Sequence, residues 1–421
     1  MLKPLKVVHF VDNYGPGSNG LMVAVQQLEG NLLDAGHEVV VVAPRAKGPN
    51  PHAHRAGRTE LRVPSIRVPH MPTRVANGRR FKKTIKQVAA LEPDVLHVHG
   101  LGPVGVLGVW TALRLGKPLL LTWHTDFEAY SEHYSAVVPL LRGVVAMFAR
   151  MNHGEVYDRK AIRAAEADFA ACNTASLMGL MRAMLTNADL VTTPSPKTLT
   201  RAKQLAPDAP MLCVPNGVDK LPSGPAPMAR GDGPLLMYAG RVAPEKGIDL
   251  LIDAFELVRE VHPDAQLMVV GDWQRYRKIR KKLEKARERG NVLLPGEQRR
   301  EDLGAFYEMA DIFAFPSTTD TQALVLHEAA LAGLPIVTAD PELTLVVDSG
   351  VNGQLASPSR TAFAAGLLRV IDAMRDAEWR ERAAERSVEL ASQWTSESQA
   401  KEMLRLYEEL STTPPQRSRA T

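Results

Sequence analysis

Two acids in one short stretch, Asp320 and Glu328, are well placed to bind hydroxyl groups. The apolar pattern Ile312–Phe315 predicts a strand, a polar loop containing Asp320 follows, and a helical pattern then runs through Glu328. A loop between the carboxyl end of a strand and the amino end of a helix is where α/β proteins hold anions and sugars. Carboxylates in this otherwise almost uncharged stretch indicate recognition of sugar hydroxyls.

Two cations, Arg241 and Lys246, occupy a second junction between a strand and a helix, in the segment Tyr238–Ile248. Arginine can grip a phosphate with two hydrogen bonds, and lysine supplies a movable point charge, so a diphosphate fits this pair. Gly240 and Gly247 would let the backbone approach a ligand closely. A turn that carries two solvated cations explains the same residues and stays open as an alternative.

Two further junctions carry weaker signals. The glycine-rich loop Asn13–Gly20 precedes a predicted helix and lacks the G-x-G-x-x-G pattern, so it either covers a phosphate group or is an ordinary turn. At the end of the apolar run Leu119–Trp123, His124 could donate to a sugar hydroxyl and Asp126 could accept from one. A histidine bound to a nearby carbonyl is the structural alternative.

Metal and nucleic acid are less favoured as ligands. His97 and His99 share one face of a predicted strand, but no third ligand is apparent, so we expect them in the core or in a cleft wall. The two cysteines have neither metal-ligand nor disulfide spacing, which indicates a reducing compartment. The basic run Arg275–Arg289 has helical apolar spacing and no interleaved aromatic pattern, so it reads as a solvated helix face.

The bulk composition predicts a protein of two or three domains without a membrane span. The chain has 421 residues, a net charge of +4 and a sequence pI of about 9.0, a mild excess compatible with an anionic substrate or membrane surface. No secretory signal is evident, and glycines, Arg114 and Lys117 interrupt the apolar segment Leu101–Trp123. We expect a cytoplasmic protein, with peripheral contact at the inner membrane face as an option.

Apolar runs alternate with amphipathic stretches along the chain, which is the pattern of parallel sheets and predicts the α/β class. The Pro/Gly-rich connector Lys220–Pro234 marks the boundary between a first domain, 1–219, and a second, 220–392. A helix at about 393–410 should pack back on the first domain, and 411–421 reads as a disordered tail. Two Rossmann-like halves of this kind would face each other across a cleft.

Taken in order, these motifs resemble the retaining GT-B glycosyltransferases of the glycosyltransferase 4 superfamily, over about residues 5 to 410. The matching motifs are the Asn19-Gly20 loop, Pro93–His99, Thr122–His124, Pro215–Asp219, Gly240-Arg241 with Glu245–Gly247, and the acidic motif that ends at Glu328. The family has glutamate where this chain has Asp320, a change that bears on the donor sugar. A finer resemblance, in Thr321–Leu324 and His124–Tyr130, is to bacterial diacylglycerol glycosyltransferases.

The resemblance implies a role for each matching residue. Catalysis would involve His124, Arg241, Lys246 and Asp320. The nucleotide would be bound by Gly20, Arg241, Lys246, Leu294 and Glu328. The donor sugar would contact His124, Asp320, Gln322, Ala323 and Leu324, and the acceptor would contact Asp126 and Tyr130.

The expected activity is transfer of a hexose from a nucleotide diphosphate sugar, with UDP favoured, to a hydroxyl of a lipid or small molecule. The resemblance implies retention of anomeric configuration. No metal or other cofactor is expected, because the cations supply the positive charge. Asp320 also leaves open a catalytically silent module that binds nucleotide sugars. A nucleotide-sugar epimerase of the GT-B class is a third possibility.

Overall fold

The computed structural model describes residues 3–15, 20–45, 52–67, 74–124 and 175–415. The chain divides into two compact units, of which one is Met1–Gly217 with Ser396–Thr421 and the other is Val218–Thr395. The chain thus leaves the first unit at Gly217 and returns to it at Ser396. The predicted domains end at residue 219 and return at about 393, and the role assigned to each domain stays a prediction.

The first unit is built on a parallel sheet. The described strands of this unit are β1 (Lys6–Phe10), β2 (Glu38–Pro44), β3 (Arg58–Val63), β4 (Ser65–Arg67), β5 (Arg74–Ala76), β6 (Val95–Val98), β7 (Leu119–Thr122), β8 (Leu190–Thr193) and β9 (Met211–Cys213). Strands β4 and β5 form a separate short hairpin. The seven-stranded order is β3-β2-β1-β6-β7-β8-β9. The central strands β1, β6 and β7 are mostly apolar and, apart from Lys6, buried, as expected for a sheet covered by helices on each side.

Helices connect these strands. The described helices before the domain boundary are α1 (Gly20–Asp34), α2 (Phe81–Ala89), α3 (Pro103–Leu115), α4 (Ala175–Thr186) and α5 (Pro196–Leu205). Asp12, just after β1, caps α3 from a distance, since its carboxylate accepts the amides of Gly102 at 3.0 Å, Val104 at 2.7 Å and Gly105 at 3.1 Å. These bonds satisfy amides that have no partner inside the helix and fix the end of β1 against the start of α3.

The second unit repeats the pattern with a six-stranded parallel sheet. Its strands are β10 (Leu235–Ala239), β11 (Gln266–Val270), β12 (Val292–Gly296), β13 (Ile312–Phe315), β14 (Ile336–Thr338) and β15 (Gly353–Leu355). Their order is β12-β11-β10-β13-β14-β15. The helices are α6 (Ile248–Val261), α7 (Arg277–Glu288), α8 (Leu303–Met309), α9 (Leu324–Leu331), α10 (Arg360–Ala373) and α11 (Ala377–Ser392), with short 3₁₀ turns at Pro244–Lys246 and Arg300–Asp302.

The last helix, α12 (Ser396–Thr412), belongs to the first unit. Met403, Leu406 and Tyr407 bury their side chains among residues of α1, β1 and β2. The helix ends at Thr412, so the predicted tail begins two positions too early, because the helix stops only where Pro414 approaches. Within the described ranges, no helix has the length and apolar character needed to cross a membrane.

Candidate functional site

Two loops meet in the second unit: Gly240–Gly247 after β10, here called the cation loop, and Pro316–Ala323 after β13, here called the acid loop. Lys246 Nζ lies 2.6 Å from Asp320 Oδ1, although the residues are 74 positions apart in the chain. They meet because β10 and β13 are neighbouring parallel strands, so the loops that follow them leave the same edge of the sheet. Ser317 Oγ donates to the other oxygen, Asp320 Oδ2, at 2.5 Å. Asp320 is therefore held from both sides.

The Asp320 carboxyl stays ionised despite its burial. Burial alone raises the pKa of this carboxyl, but the Lys246 ammonium, the Ser317 hydroxyl and the charge of Arg241 together hold the pKa below its ordinary value. The site therefore contains a fixed carboxylate beside a fixed ammonium. A ligand that engages Lys246 must share it with Asp320.

The glycines of the cation loop have positive φ angles and close neighbours within the protein. Gly247 has φ of +68°, and a Cβ there would lie 2.5 Å from the carbonyl oxygen of Pro316. Gly240 has φ of +140°, and a Cβ there would lie 3.2 Å from Tyr238 Oη. Gly247 thus admits the loop after β13, and this close approach brings Lys246 to Asp320; the approach of a ligand to Gly240 and Gly247 stays a prediction.

Arg241 is anchored at the rim of the same loop. Its Nη2 lies 2.8 Å from Glu245 Oε1, and the Glu245 side chain is 1% exposed whereas that of Arg241 is 43% exposed. Tyr238 Oη donates to the carbonyl oxygen of Arg241 at 2.8 Å. The guanidinium is thus oriented by a buried acid and still reaches solvent, where it can bind an anion with two hydrogen bonds.

The amino end of α9 lies next to Asp320 in the chain. Ala323 has φ of +60°, a left-handed conformation that is uncommon for a residue other than glycine, and no side chain caps the helix. The first amides of a helix have no partner inside it and carry the positive end of its dipole. Gln322 is buried and its Nε2 lies 3.2 Å from His327 Nε2, a contact that holds the turn.

Glu328 is engaged by two residues that the sequence did not bring to attention. Its Oε1 accepts from Arg300 Nη1 at 2.5 Å and its Oε2 from Tyr307 Oη at 2.9 Å, and the side chain is 1% exposed. Burial first, and then the Glu328 charge, raise the pKa of Tyr307 well above its ordinary value, so the phenol stays a donor. A carboxylate oxygen has room for more than one hydrogen bond, so ribose binding is compatible with both contacts.

The remaining predicted residues fall in different places. Leu294 is half-buried in β12, and Gly20 is the first residue of α1. Tyr14, which follows β1, donates its hydroxyl to the buried carboxylate of Glu29. The predicted acceptor residues Asp126 and Tyr130 lie outside the described residues.

His124 belongs to a group of four histidines at the carboxyl ends of β1, β6 and β7, here called the histidine cluster: His9, His97, His99 and His124. The first three are buried, and His124 is partly buried. His9 Nδ1 lies 2.6 Å from His99 Nε2, and His99 Nδ1 lies 3.2 Å from His124 Nε2. Burial lowers the pKa of His9 and of His124 to about 3. Burial first and neighbouring histidines second lower the pKa values of His97 and His99 too, so the cluster is neutral.

The histidine cluster places His9 beside His97 and His99, so a third possible metal ligand is present that the sequence pattern did not reveal. His9 lies opposite His97 in the β1–β6 register, and His9, His97 and His99 are close enough to be considered as metal ligands. However, two tetrahedral ligands about 2.0–2.1 Å from one zinc ion lie roughly 3.3 Å apart, whereas the His9 and His99 nitrogens are 2.6 Å apart. Both nitrogens of His97 are also engaged, by Tyr407 Oη at 2.6 Å and by Thr122 Oγ1 at 2.7 Å. This geometry is that of hydrogen bonding.

Comparison with known families accounts for both units. Residues 18–220 match the family model described as Glycosyltransferase Family 4, and residues 226–387 match the model described as Glycosyl transferases group 1. The chain belongs to glycosyltransferase family 4. As members of this family do, it transfers a sugar from a nucleotide-sugar donor.

Relatives of this glycosyltransferase act on different substrates. It is 23% identical to an alpha-monoglucosyldiacylglycerol synthase of Acholeplasma laidlawii, over 83% of this chain and 84% of the relative. It is 27% identical to a GDP-mannose-dependent alpha-mannosyltransferase of Mycolicibacterium smegmatis, over 87% and 85%. At this level of identity the relatives leave donor and acceptor undetermined.

Solved structures establish the GT-B fold. Sucrose-phosphate synthase of Thermosynechococcus elongatus matches with a TM-score of 0.71 at 20% identity, over 97% of this chain and 99% of that chain. Anabaena HepE in complex with UDP-glucose matches with a TM-score of 0.66 at 16% identity, over 96% and 100%. The predicted α/β class and GT-B architecture are thereby confirmed, and the site residues taken from the resemblance remain predictions.

Proposed function

We propose that this glycosyltransferase moves a hexose from a UDP-sugar to a hydroxyl of a lipid or small-molecule acceptor with retention of anomeric configuration. The main support is the 2.6 Å contact between Lys246 Nζ and Asp320 Oδ1. It joins the cation loop to the loop that leads into α9, so two cations and a helix amino end converge beside one carboxylate.

In this proposal the donor diphosphate binds Arg241, Lys246 and the first amides of α9. Negative charge grows on the diphosphate as it leaves, and donors fixed in place stabilise that charge without reorganising during the reaction. Lys246 is held by Asp320 and Arg241 by Glu245, so both cations are oriented before the donor arrives. Removal of one such donor typically costs about 10²–10³-fold in kcat.

The rest of the donor is assigned to residues around these cations. The transferred sugar contacts Asp320, Gln322, Ala323 and Leu324, and His124 donates to one of its hydroxyls. The ribose binds Glu328, the base lies near Leu294, and Gly20 at the start of α1 belongs to the nucleotide site. Asp320 replaces the family's glutamate and already binds Lys246 and Ser317, so it is proposed to restrict which sugar hydroxyls fit.

The reaction breaks the bond between the anomeric carbon and the diphosphate oxygen, and it forms a bond from that carbon to the acceptor oxygen. The departing phosphate oxygen takes the proton of the acceptor hydroxyl on the same face, which accounts for retention and requires no protein base. The products are the glycoside and the nucleoside diphosphate. Arg241 and Lys246 supply the positive charge that the leaving group requires.

The choice of UDP and of a lipid acceptor rests on the similarity of this chain to two other proteins. The Anabaena HepE structure contains UDP-glucose, and the Acholeplasma laidlawii relative is named for a glycolipid product. The GDP-mannose-dependent mannosyltransferase relative makes GDP-mannose the competing donor. Asp126 and Tyr130 are proposed to contact the acceptor.

The test measures transfer from radiolabelled UDP-glucose and GDP-mannose to diacylglycerol in mixed micelles and to water-soluble sugars, with and without EDTA. We expect UDP-glucose to support transfer to the lipid, and Arg241→Ala and Lys246→Ala each to lower kcat by about 10²–10³-fold. Lys281→Ala, which changes an exposed lysine of α7, is the matched control and should retain full activity. Near-normal turnover in both site variants refutes the diphosphate assignment, and transfer from GDP-mannose alone refutes the choice of donor.

A further inference from the structure

We propose that His9 and His99 form a directed hydrogen-bond chain that protonates His124 on Nδ1 and leaves its Nε2 as an acceptor. His9 and His99 are then positioning residues for His124, whose contact with the donor sugar rests on the proposed function. The direction of the chain itself follows from the first unit alone.

The chain consists of two contacts in series. His9 Nδ1 and His99 Nε2 are 2.6 Å apart, and His99 Nδ1 and His124 Nε2 are 3.2 Å apart. His99 therefore uses both ring nitrogens, one toward each neighbour. His9 lies on β1 and His99 just beyond β6, two neighbouring strands of the parallel sheet, so the backbone fixes the spacing of these rings.

A neutral imidazole has one N–H group, so the chain has only two possible directions. If His99 carries its proton on Nδ1, it donates to His124 and accepts from His9. If His99 carries its proton on Nε2, it donates to His9 and accepts from His124. In the first case His124 must be protonated on Nδ1, and in the second on Nε2.

The buried end of the chain decides between the two directions. His9 Nε2 is buried and has no hydrogen-bond partner among the described residues. In the first direction this atom is an unused acceptor, whereas in the second it is an N–H group without an acceptor. Buried N–H groups without a partner are rarer in proteins than unused acceptors, so the first direction is favoured.

The surroundings keep the chain neutral and in place. His9, His97 and His99 are deeply buried and His124 is partly buried, and His97 lies against His99 with ring centroids 3.7 Å apart and the rings tilted by 39°. His97 is held by Tyr407 Oη at 2.6 Å and by Thr122 Oγ1 at 2.7 Å, so it cannot turn to take the place of His9. Within the described residues, the His99 ring thus lies between fixed neighbours on β1, β6 and β7.

The consequence for the proposed reaction is that His124 carries its proton on Nδ1. This nitrogen can donate to a hydroxyl oxygen of the transferred sugar, and it cannot serve as a base while the chain is intact. If the tautomer were reversed, His124 would offer an acceptor at the same position and would select a different hydroxyl orientation.

The first test is ¹⁵N NMR of the full chain labelled at the histidine ring nitrogens, with His124 and His9 assigned from their substitution variants. Long-range correlations distinguish a protonated ring nitrogen from a bare one. We expect His9, His99 and His124 all to carry the proton on Nδ1. A proton on Nε2 of His124, rapid exchange between its two tautomers, or one bound metal ion per chain overturns the proposal.

The second test compares His9→Phe with His9→Asn. Phenylalanine removes the donor, so His124 should lose its single tautomer and kcat should fall about tenfold, with a smaller change in the KM for the donor. Asparagine supplies an amide N–H near the position of Nδ1 and should restore both the spectrum and kcat. If His9→Phe leaves the His124 tautomer unchanged, the hydrogen-bond chain does not set that tautomer. If His9→Phe does not fold, the wild-type and His9→Asn spectra still decide. If the spectra show the expected tautomers but no donor is turned over, the proposed function is refuted while the hydrogen-bond chain is still supported.

Discussion

Replacing Lys246 with methionine separates its structural contribution from its catalytic one. The substitution keeps the length of the side chain and removes the charge that faces Asp320 at 2.6 Å. Asp320 would then be a largely buried carboxylate without its principal counterion. Breaking a buried pair by removing one partner costs about 3–5 kcal/mol. The side chains of Lys246 and Asp320 are 14% and 19% exposed, so we expect the lower end, about 3 kcal/mol.

In a unit of this size, about 3 kcal/mol corresponds to a decrease of roughly 6–12 °C in Tm. Differential scanning calorimetry of the full chain should show one transition moving by this amount. The double variant Lys246→Met/Asp320→Asn removes both charges, so it should recover most of the lost stability but none of the lost turnover. Lys282→Met is the matched control, because Lys282 and its partners Asp249 and Asp253 are 31–45% exposed, and such pairs contribute about 0–1 kcal/mol.

The pH dependence provides a second check on the same pair. In the wild type the pKa of Asp320 is lowered, so its contribution to stability is present above the unfolded pKa and is lost as pH falls through the folded one. In Lys246→Met burial dominates and raises that pKa, so the variant is penalised only where Asp320 is ionised. The difference in Tm should therefore be largest at neutral pH and shrink in acid. A single variant as stable as the wild type, or a double variant no more stable than the single one, would refute this reasoning.

Two further predictions concern the backbone and the histidine cluster. Gly247→Ala should destabilise the protein by about 2–4 kcal/mol in urea unfolding, because it adds a clash with the Pro316 carbonyl to the cost of a left-handed conformation. The control is Gly290→Ala, where the backbone is left-handed but the added Cβ meets open space, so the cost should be only about 1 kcal/mol. Equal losses of stability in the two variants would contradict the clash. Burial lowers the pKa of His9 from 6.5 to about 3, so the stability contributed by its neutral form is present above pH 6.5 and is lost as pH falls toward 3. The free energy of unfolding should therefore decrease on acidification from pH 7 to pH 4, and the slope should be shallower in His9→Asn by at most about 1.4 kcal/mol per pH unit; an unchanged slope would show that His9 is not neutral in the fold.

Local patterns in the sequence were sufficient to predict the class of fold and the strands that precede two of the candidate site loops. The apolar pattern Ile312–Phe315 was predicted with the bounds that the structure gives for β13, and the apolar run Leu119–Trp123 contains β7, Leu119–Thr122. The order of the family motifs predicted the glycosyltransferase class. The last helix was predicted from about residue 393 to residue 410, three positions too early at its start and two too early at its end, since polar residues at helix ends carry little periodic signal.

Other features depended on which strands are neighbours. Lys246 and Asp320 are far apart in the chain and meet only because β10 pairs with β13. Arg300 and Tyr307 precede Glu328 by a whole strand and carried no signal that they would bind its carboxylate. In each case the contact is made by the packing of loops and helices around a sheet, which local periodicity does not encode.

The sequence by itself determined the chemistry available: two cations, two acids, a histidine after an apolar strand, and the order that identifies the family. Only the tertiary structure decided how these groups are used. It assigned Gly247 to a close approach with Pro316, and it aligned His9 with His97 through the β1–β6 register. The physical reason is that parallel strands bring residues together from distant parts of the chain, and burial then determines their charges and hydrogen bonds.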